Sequence, residues 1–262
     1  MPLTYSAIIP HSPLLIPEIG KENTPRLKNT LKSYEKIKAE IAEHQIETII
    51  IISPHGPIQE NTFSINLAPE YQYNFESFGN FSIKGAFKND IGLVHHIREN
   101  LETKAKLQLI TEPFLDHGTS IPLRLLLAET SEVKIIPLYY SGLGNNDHFE
   151  FGKILQETLF HYPEKIAVLA SGDLSHCHTK DAPLGYSPRA KKFDKKLIDL
   201  IQSHRTKDIL KIETETIIEI HECGLRSILI LLGILDGINY KTNTLSYEAP
   251  FGIGYLCADF KL

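Results

Sequence analysis

The sequence predicts an α/β fold, a single three-layer domain over residues 1–262 with a mainly parallel mixed β-sheet core flanked by helices. Three observations predict it. Strand-like and helix-like segments alternate along almost the whole chain, the pattern of strand–helix–strand units. The strand candidates include continuous apolar runs, IIII at 49–52 and IAVLA at 166–170, which fit strands covered on both faces rather than on one. No internal repeat, low-complexity tract or Ser/Gly linker divides the 262 residues, a length that suits one large α/β unit.

Each element follows from its local residues. LTYSAIIP reads as the first strand. TPRLKNTLKSYEKIKAEIAEH has the spacing of a long amphipathic helix, with Thr24 as its N-cap and Pro25 at the first helical position. ETIIIISP is the second strand, ended by Pro54, which has no N–H for a central ladder. NTFSINLAPEY and GNFSIKGAF alternate apolar and polar residues and are expected to pair as antiparallel edge strands. NDIGLVHHIRENLETK follows an Asn/Asp cap as a helix, and LQLITEP is a short strand. GTSIPLRLLLAE reads as a helix entered through Pro122. EVKIIPLYYSG is a strand, NDHFEFGKILQETLFHY a helix and KIAVLASGD a further buried strand. Helices rich in both charge signs run from Ser187 to about His221, followed by the apolar helix GLRSILILLGIL. NTLSYEAPFGIGYLCADF reads as two strands, or one bulged strand, about a Pro-Phe-Gly turn.

Composition excludes several classes. The net charge of −5 argues against a protein that binds nucleic acid through a broad basic surface. No apolar run is long enough to span a bilayer, and the apolar start MPLTYSAIIPHSPLLIPEIG has neither a basic leading region nor a small-residue cleavage site. The three cysteines, Cys177, Cys223 and Cys257, have no paired spacing, so neither a disulfide framework nor a four-cysteine zinc site is expected. A reducing cytoplasm is the expected location.

The information lies in the twelve histidines. IIIISPHGP carries a buried strand into His55, held between prolines and a glycine. The pattern recurs: SAIIPHSPLL gives His11, ITEPFLDHGTSIPL gives His117 after Asp116, and VLASGDLSHCH gives Asp173 and His176. Ligands in open α/β sheets bind at the carboxyl ends of strands, and neighbouring parallel strands bring those ends to one rim. Four histidines so placed are the donor set of a metal or acid–base site. Two histidines and a carboxylate are the arrangement of non-haem Fe(II) oxygenases. Glu222, Cys223 and Glu248 are the candidates for the third ligand, in that order. Other roles for them are a helix cap for Glu222, a small buried apolar residue for Cys223 and a solvated turn for Glu248. His178 is expected in a loop, and Tyr139, Tyr140, Tyr186 and Phe114 near strand ends are candidates for the wall of an aromatic pocket. No Gly-x-Ser-x-Gly elbow supports a serine hydrolase.

Taken in order and spacing, PHSPLL, SPHGP, LDHGTSIPL, GDLSH and ECGLRS resemble the class III extradiol ring-cleavage dioxygenase superfamily, which includes the catalytic subunit of protocatechuate dioxygenase and the Memo proteins. The resemblance runs from His11 to the last strand. It implies an α/β domain with a metal site at one rim and His11 and His55 as metal ligands. His176 would be the acid–base histidine, Asp173 the aspartate beside it and His117 the second active-site histidine. It implies Fe(II), with Cu or Zn as alternatives, and a mononuclear extradiol dioxygenase that opens a catechol-like aromatic ring with O2. The dioxygenases supply a glutamate as third ligand and the Memo branch a cysteine in Cys-Gly, and this chain has Glu222-Cys223-Gly224. A Memo-like metal protein with a redox or partner-binding role and no ring cleavage is therefore the alternative, and a zinc hydrolase on the same histidines is a third. The implied partners are a small aromatic substrate and O2, with a homo-oligomer or a small accessory subunit, and neither nucleic acid nor membrane.

Overall fold

The continuous apolar runs become the middle of one eight-stranded sheet. The computed structural model describes residues 2–128 and 131–262. In it β1 (Leu3–Ile9), β2 (Thr48–Ser53), β7 (Lys134–Tyr139) and β8 (Ile166–Ser171) lie side by side in the order β7-β2-β8-β1, all parallel. On one flank come β3 (Phe63–Asn66), antiparallel to β7, and β6 (Leu107–Ile110), parallel to β3. On the other come β10 (Tyr255–Lys261), antiparallel to β1, and β9 (Lys241–Glu248), antiparallel to β10. A separate two-stranded sheet joins β4 (Glu70–Phe75) and β5 (Asn80–Lys88).

Strand alternation divides the core into two layers. In β2, Ile50 and Ile52 face one side and Ile49 and Ile51 the other; in β8, Val168 and Ala170 oppose Ala167 and Leu169. The first side packs on α3 (Ile91–Leu101), α5 (Asn145–Leu159), α6 (Ala190–Gln202) and α9 (Leu225–Ile234). The second packs on α2 (Lys28–Glu43), α4 (His117–Leu126) and the aromatic side chains of the β4–β5 hairpin. All four isoleucines of 49–52 are at most 1% exposed, and each such side chain contributes about 1.5–3 kcal/mol on burial. The short helices α1 (Pro17–Gly20), α7 (Thr206–Ile209) and α8 (Thr214–Ile220) serve as connections. Helices α5 and α9 touch backbone to backbone, since a Cβ on Gly152 would lie 2.1 Å from the Ile230 carbonyl oxygen.

Three sequence expectations are corrected. Residues 21–27 form a 3₁₀ segment, so α2 begins at Lys28, and Thr24 hydroxyl donates to the Leu14 carbonyl instead of capping the helix. The free N–H of Thr30 is taken by the Glu248 carboxylate at 2.8 Å, so the cap comes from β9, 218 residues away. NTFSINLAPEY pairs with GNFSIKGAF only at its last residue: Phe63–Asn66 enters the main sheet as β3, and the hairpin partner of β5 is Glu70–Phe75. Helix α4 starts at His117, with Asp116 as N-cap accepting from the Thr119 N–H, so Pro122 lies inside it rather than at its entrance. Its expected last residue, Glu129, lies outside the described residues.

The opposite rim is held by charge. Asp90 caps α3 through the Leu93 N–H, accepts from Thr48 hydroxyl at 2.6 Å and pairs with Lys134 at 2.8 Å. Burial opposes ionisation of Asp90, but Lys134, Thr48 and the Leu93 N–H outweigh it and hold the carboxyl below its usual range. Its proton is therefore bound more weakly in the folded than in the unfolded chain. The stabilisation is present above the unfolded value, about 3.9, and is lost as pH falls through the folded value. Asp90→Ala is expected to cost about 2 kcal/mol at neutral pH, from the cap and one charge-assisted hydrogen bond. Urea unfolding at pH 7 and at low pH checks this, and the difference between variant and wild type should shrink in acid.

Candidate metal centre

Three of the parallel strands deliver their next residues to one rim. β1 is followed by Pro10 and His11, β2 by Pro54 and His55, and β8 by Gly172 and Asp173. His117 arrives differently. β6 runs antiparallel to these strands, so residues 111–116 must return across the molecule. Their route is pinned to the hairpin, where Gln72 N–H donates to Pro113 O and Leu115 N–H to Gln72 O, before α4 presents His117 in its first turn.

Two serines, each the last residue of its strand, tie α4 to that rim. Ser53 hydroxyl donates to Asp116 Oδ1 at 2.5 Å and Ser171 hydroxyl to the Gly118 carbonyl at 2.6 Å. The corner before α9 is brought in by two glycines. A Cβ on Gly172 would lie 2.1 Å from Gly224 Cα. This close approach lets the Cys223 N–H donate to Asp173 O at 3.2 Å, while the Asp173 N–H donates to Cys223 Sγ at 3.3 Å.

The result is a cluster of His11, His55 and Cys223 whose donor atoms all lie within 4.8 Å of one another, the one such group of three metal-ligating side chains among the described residues. His55 Nε2 is 2.9 Å from His11 Nε2, and Cys223 Sγ is 3.7 Å from His11 Nε2. Bonds of about 2.1 Å to nitrogen and about 2.3 Å to thiolate would set the donors of one cation about 3–3.7 Å apart, so the observed spacing fits one ion. The electrostatics fit as well. Burial, with the neighbouring histidines, holds His11 and His55 well below the usual imidazole range, so both are neutral ligands. Burial, then Asp173 and Glu222, pushes the Cys223 thiol up, and a bound cation would remove that proton. His55 is exposed where His11 is buried, so the cluster opens to solvent on its His55 side.

The other site candidates surround the cluster at different distances. The His117 ring stacks on His55 at 4.1 Å between centroids and meets His11 edge-on at 5.4 Å. Asp173 is buried, accepts from the His11 N–H at 3.0 Å, and has its carboxyl raised to about 6 by burial, against the pull of His176. No hydrogen bond joins the Asp173 and His176 side chains among the described residues; His176 Nδ1 is buried and has no partner. Glu222 points elsewhere: its Oε2 accepts from the Leu225 N–H at 2.7 Å, at the start of α9, and burial raises its carboxyl to about 7. Glu248 is committed to Thr30 and Asn29. His178 lies in the loop after β8, as expected, and is held there by burial and a 2.8 Å bond to the buried Asp194, which also accepts from Tyr247 hydroxyl.

Of the aromatic candidates, Tyr139 is fully buried, while Phe114 and Tyr186 are exposed. Tyr140 carries the Arg226 guanidinium 5.5 Å over its ring. Phe78, which sequence reasoning missed, meets the His117 ring at 5.7 Å. Ser53 and Ser171 were also missed as parts of the site. Their signal is a hydroxyl as the last residue of an otherwise apolar strand, directly before the turn.

The fold and the chain have known relatives. A structure described as an uncharacterized protein, JW3007, from Escherichia coli K12 superposes with a TM-score of 0.70 over 98% of this chain and 99% of that one, at 16% identity, which shows a shared fold. Protein CA_C1420 of Clostridium acetobutylicum is 32% identical over 265 aligned residues, which cover 97% of this chain and 57% of that protein. The chain thus spans little more than half the length of that relative. The family model described as the catalytic LigB subunit of aromatic ring-opening dioxygenase matches residues 5–258, and the chain belongs to that family.

Proposed function

We propose that this protein is a metal-dependent oxidoreductase that acts with O2 on a small catechol-like aromatic, its cation held by His11, His55 and Cys223. The observation that carries the reading is the convergence of two neutral imidazoles and a thiol, 3.7 Å or less from His11 Nε2 in the two measured contacts, at a rim open on the His55 side. When bound, Fe(II), or Cu in its place, supplies positive charge that eases deprotonation of a catechol and a path for electrons to O2.

The chain supplies the rest. His176, with its unpartnered Nδ1, takes the proton of a substrate hydroxyl and returns it to the product, as a general base and then a general acid. His117, kept neutral chiefly by burial, donates a hydrogen bond to negative charge developing on oxygen. Asp173 holds the His11 backbone and acts on His117 and His176 through its charge. Phe78 provides apolar wall beside the His117 ring.

One observation favours a second reading. A thiol rather than a carboxylate joins the two imidazoles, and the Glu222 carboxylate is engaged by the Leu225 N–H. A softer donor set favours Cu(I) or Zn over Fe(II), and with it a Memo-like redox role without ring cleavage.

Anaerobic loading with Fe(II), Cu(I) and Zn(II), followed by O2 uptake over a panel of catechols, tests the two readings. One equivalent of iron and a yellow ring-fission product support the first. Tight copper or zinc binding with no catechol consumed supports the second. Under the first reading His176→Ala should keep its metal and lose about 10²–10⁴-fold in turnover; an unchanged rate would remove His176 from the chemistry.

A further inference from the structure

We propose that Ser171 is a positioning residue that fixes the tautomer of His11, so that Nε2 presents a lone pair to the cation. The inference rests on His11 being a ligand, as proposed above. A serine hydroxyl has one hydrogen. The Gly118 carbonyl can only accept, so at 2.6 Å the Ser171 hydrogen goes to it. The Ser171 oxygen is then left to accept from His11 Nδ1, 3.0 Å away, and Nδ1 must carry the hydrogen. A neutral imidazole has one N–H. Nε2 is therefore bare, and Nε2 is the atom 2.9 Å from His55 Nε2 and 3.7 Å from Cys223 Sγ.

The contact at Nε2 is compatible with this assignment: His55 Nε2, 2.9 Å away, can donate to a bare His11 Nε2, whereas the Ser171 oxygen has no hydrogen left to give Nδ1. The one carboxylate close to Nε2, Asp173 Oδ2, is 4.0 Å away, too far for a hydrogen bond. His11 is 2% exposed and Ser171 fully buried, which shields the Nδ1 contact from solvent. The same hydroxyl joins the end of β8 to the first turn of α4, the residue after His117. One side chain thus sets both the hydrogen on His11 and the seat of the His117 ring beside it. Partners of this kind, which orient a metal ligand through its other ring nitrogen, are worth about 10–100-fold in metal affinity.

The test uses protein labelled with ¹⁵N in its histidines, without metal, and long-range ¹⁵N–¹H correlation to read the His11 tautomer. Wild type should show Nδ1–H alone. Ser171→Ala should show a mixture or Nε2–H, with Zn(II) affinity reduced about 10–100-fold in competition with a chelator, and Ser171→Thr should restore both. An Nε2–H tautomer in wild type overturns the proposal and needs no variant to fold. An alanine variant with unchanged tautomer or unchanged affinity overturns it too. A wild type with the Nδ1–H tautomer that binds none of Zn(II), Fe(II) or Cu(I) overturns the metal centre itself, and the two failures are told apart by the spectrum.

Discussion

Cys223→Ala is expected to lower cation affinity by more than about 100-fold, while Glu222→Gln leaves it within a few-fold of wild type. The floor for the first figure is what loss of a supporting hydrogen bond already costs a metal site; losing the ligand itself costs more. The thiol sulfur lies 3.7 Å from His11 Nε2 in the cluster, whereas the Glu222 carboxylate is spent on the Leu225 N–H. Glu222→Gln keeps an acceptor for that N–H and should cost at most about 1 kcal/mol of folding stability, the scale of a helix cap. Titration against a chromogenic chelator reads both affinities. Loss of the cation in Glu222→Gln with retention in Cys223→Ala would transfer the third position to the carboxylate, and with it the donor set of a ring-cleaving dioxygenase.

Gly172→Ala should damage the same centre without touching a donor. The added Cβ would sit 2.1 Å from Gly224 Cα, backbone against backbone, where no side chain can swing away. β8 is hydrogen-bonded in parallel on both sides, to β1 and β2, so the strand end cannot retreat, and the 222–224 corner must move. We expect a loss of about 3 kcal/mol, the upper range for overpacking, and a melting temperature lower by about 6–12 °C. Displacing the corner also draws Cys223 away from His11, so cation affinity falls with stability. Gly224→Ala meets its nearest atom, Asp173 O, at 3.2 Å and should be milder. Scanning calorimetry with and without Zn(II) separates the two effects: if the metal-dependent gain in melting temperature survives in Gly172→Ala, the corner has not moved.

The parallel centre was legible because continuous apolar runs such as 49–52 and 166–170 admit no half-exposed reading, and the strand-end histidines were legible because Pro, Gly and Asp mark where those runs stop. The direction of β6 was not. A four-residue strand carries no mark of which way it enters a sheet, so LQLITEP looked like another parallel strand ending in a histidine. The cap of α2 was hidden for a different reason: Thr24-Pro25 is a good local start signal, and a carboxylate from 218 residues on overrides it. Glu222 and Cys223 are adjacent in sequence, so no spacing argument can choose between them. The close approach at Gly172 and Gly224 decides which of the two faces His11, and that contact is tertiary. Ser171 is silent in sequence because its role needs both a histidine from β1 and a carbonyl from α4.

His11 and Cys223 are 212 residues apart, and that separation sets when the centre can exist. At about 5–20 residues per second of synthesis, the third donor follows the first by roughly 10–40 s. Until then a nascent chain can offer only two of the three donors, His11 and His55, without the corner before α9 that carries Cys223. Closing so long a loop is late work in folding. A cation that needs all three donors therefore has no partly folded form to trap, and it binds the finished molecule alone. Its whole binding free energy then opposes global unfolding, so metal supply would govern how long the folded chain survives as well as whether it can act.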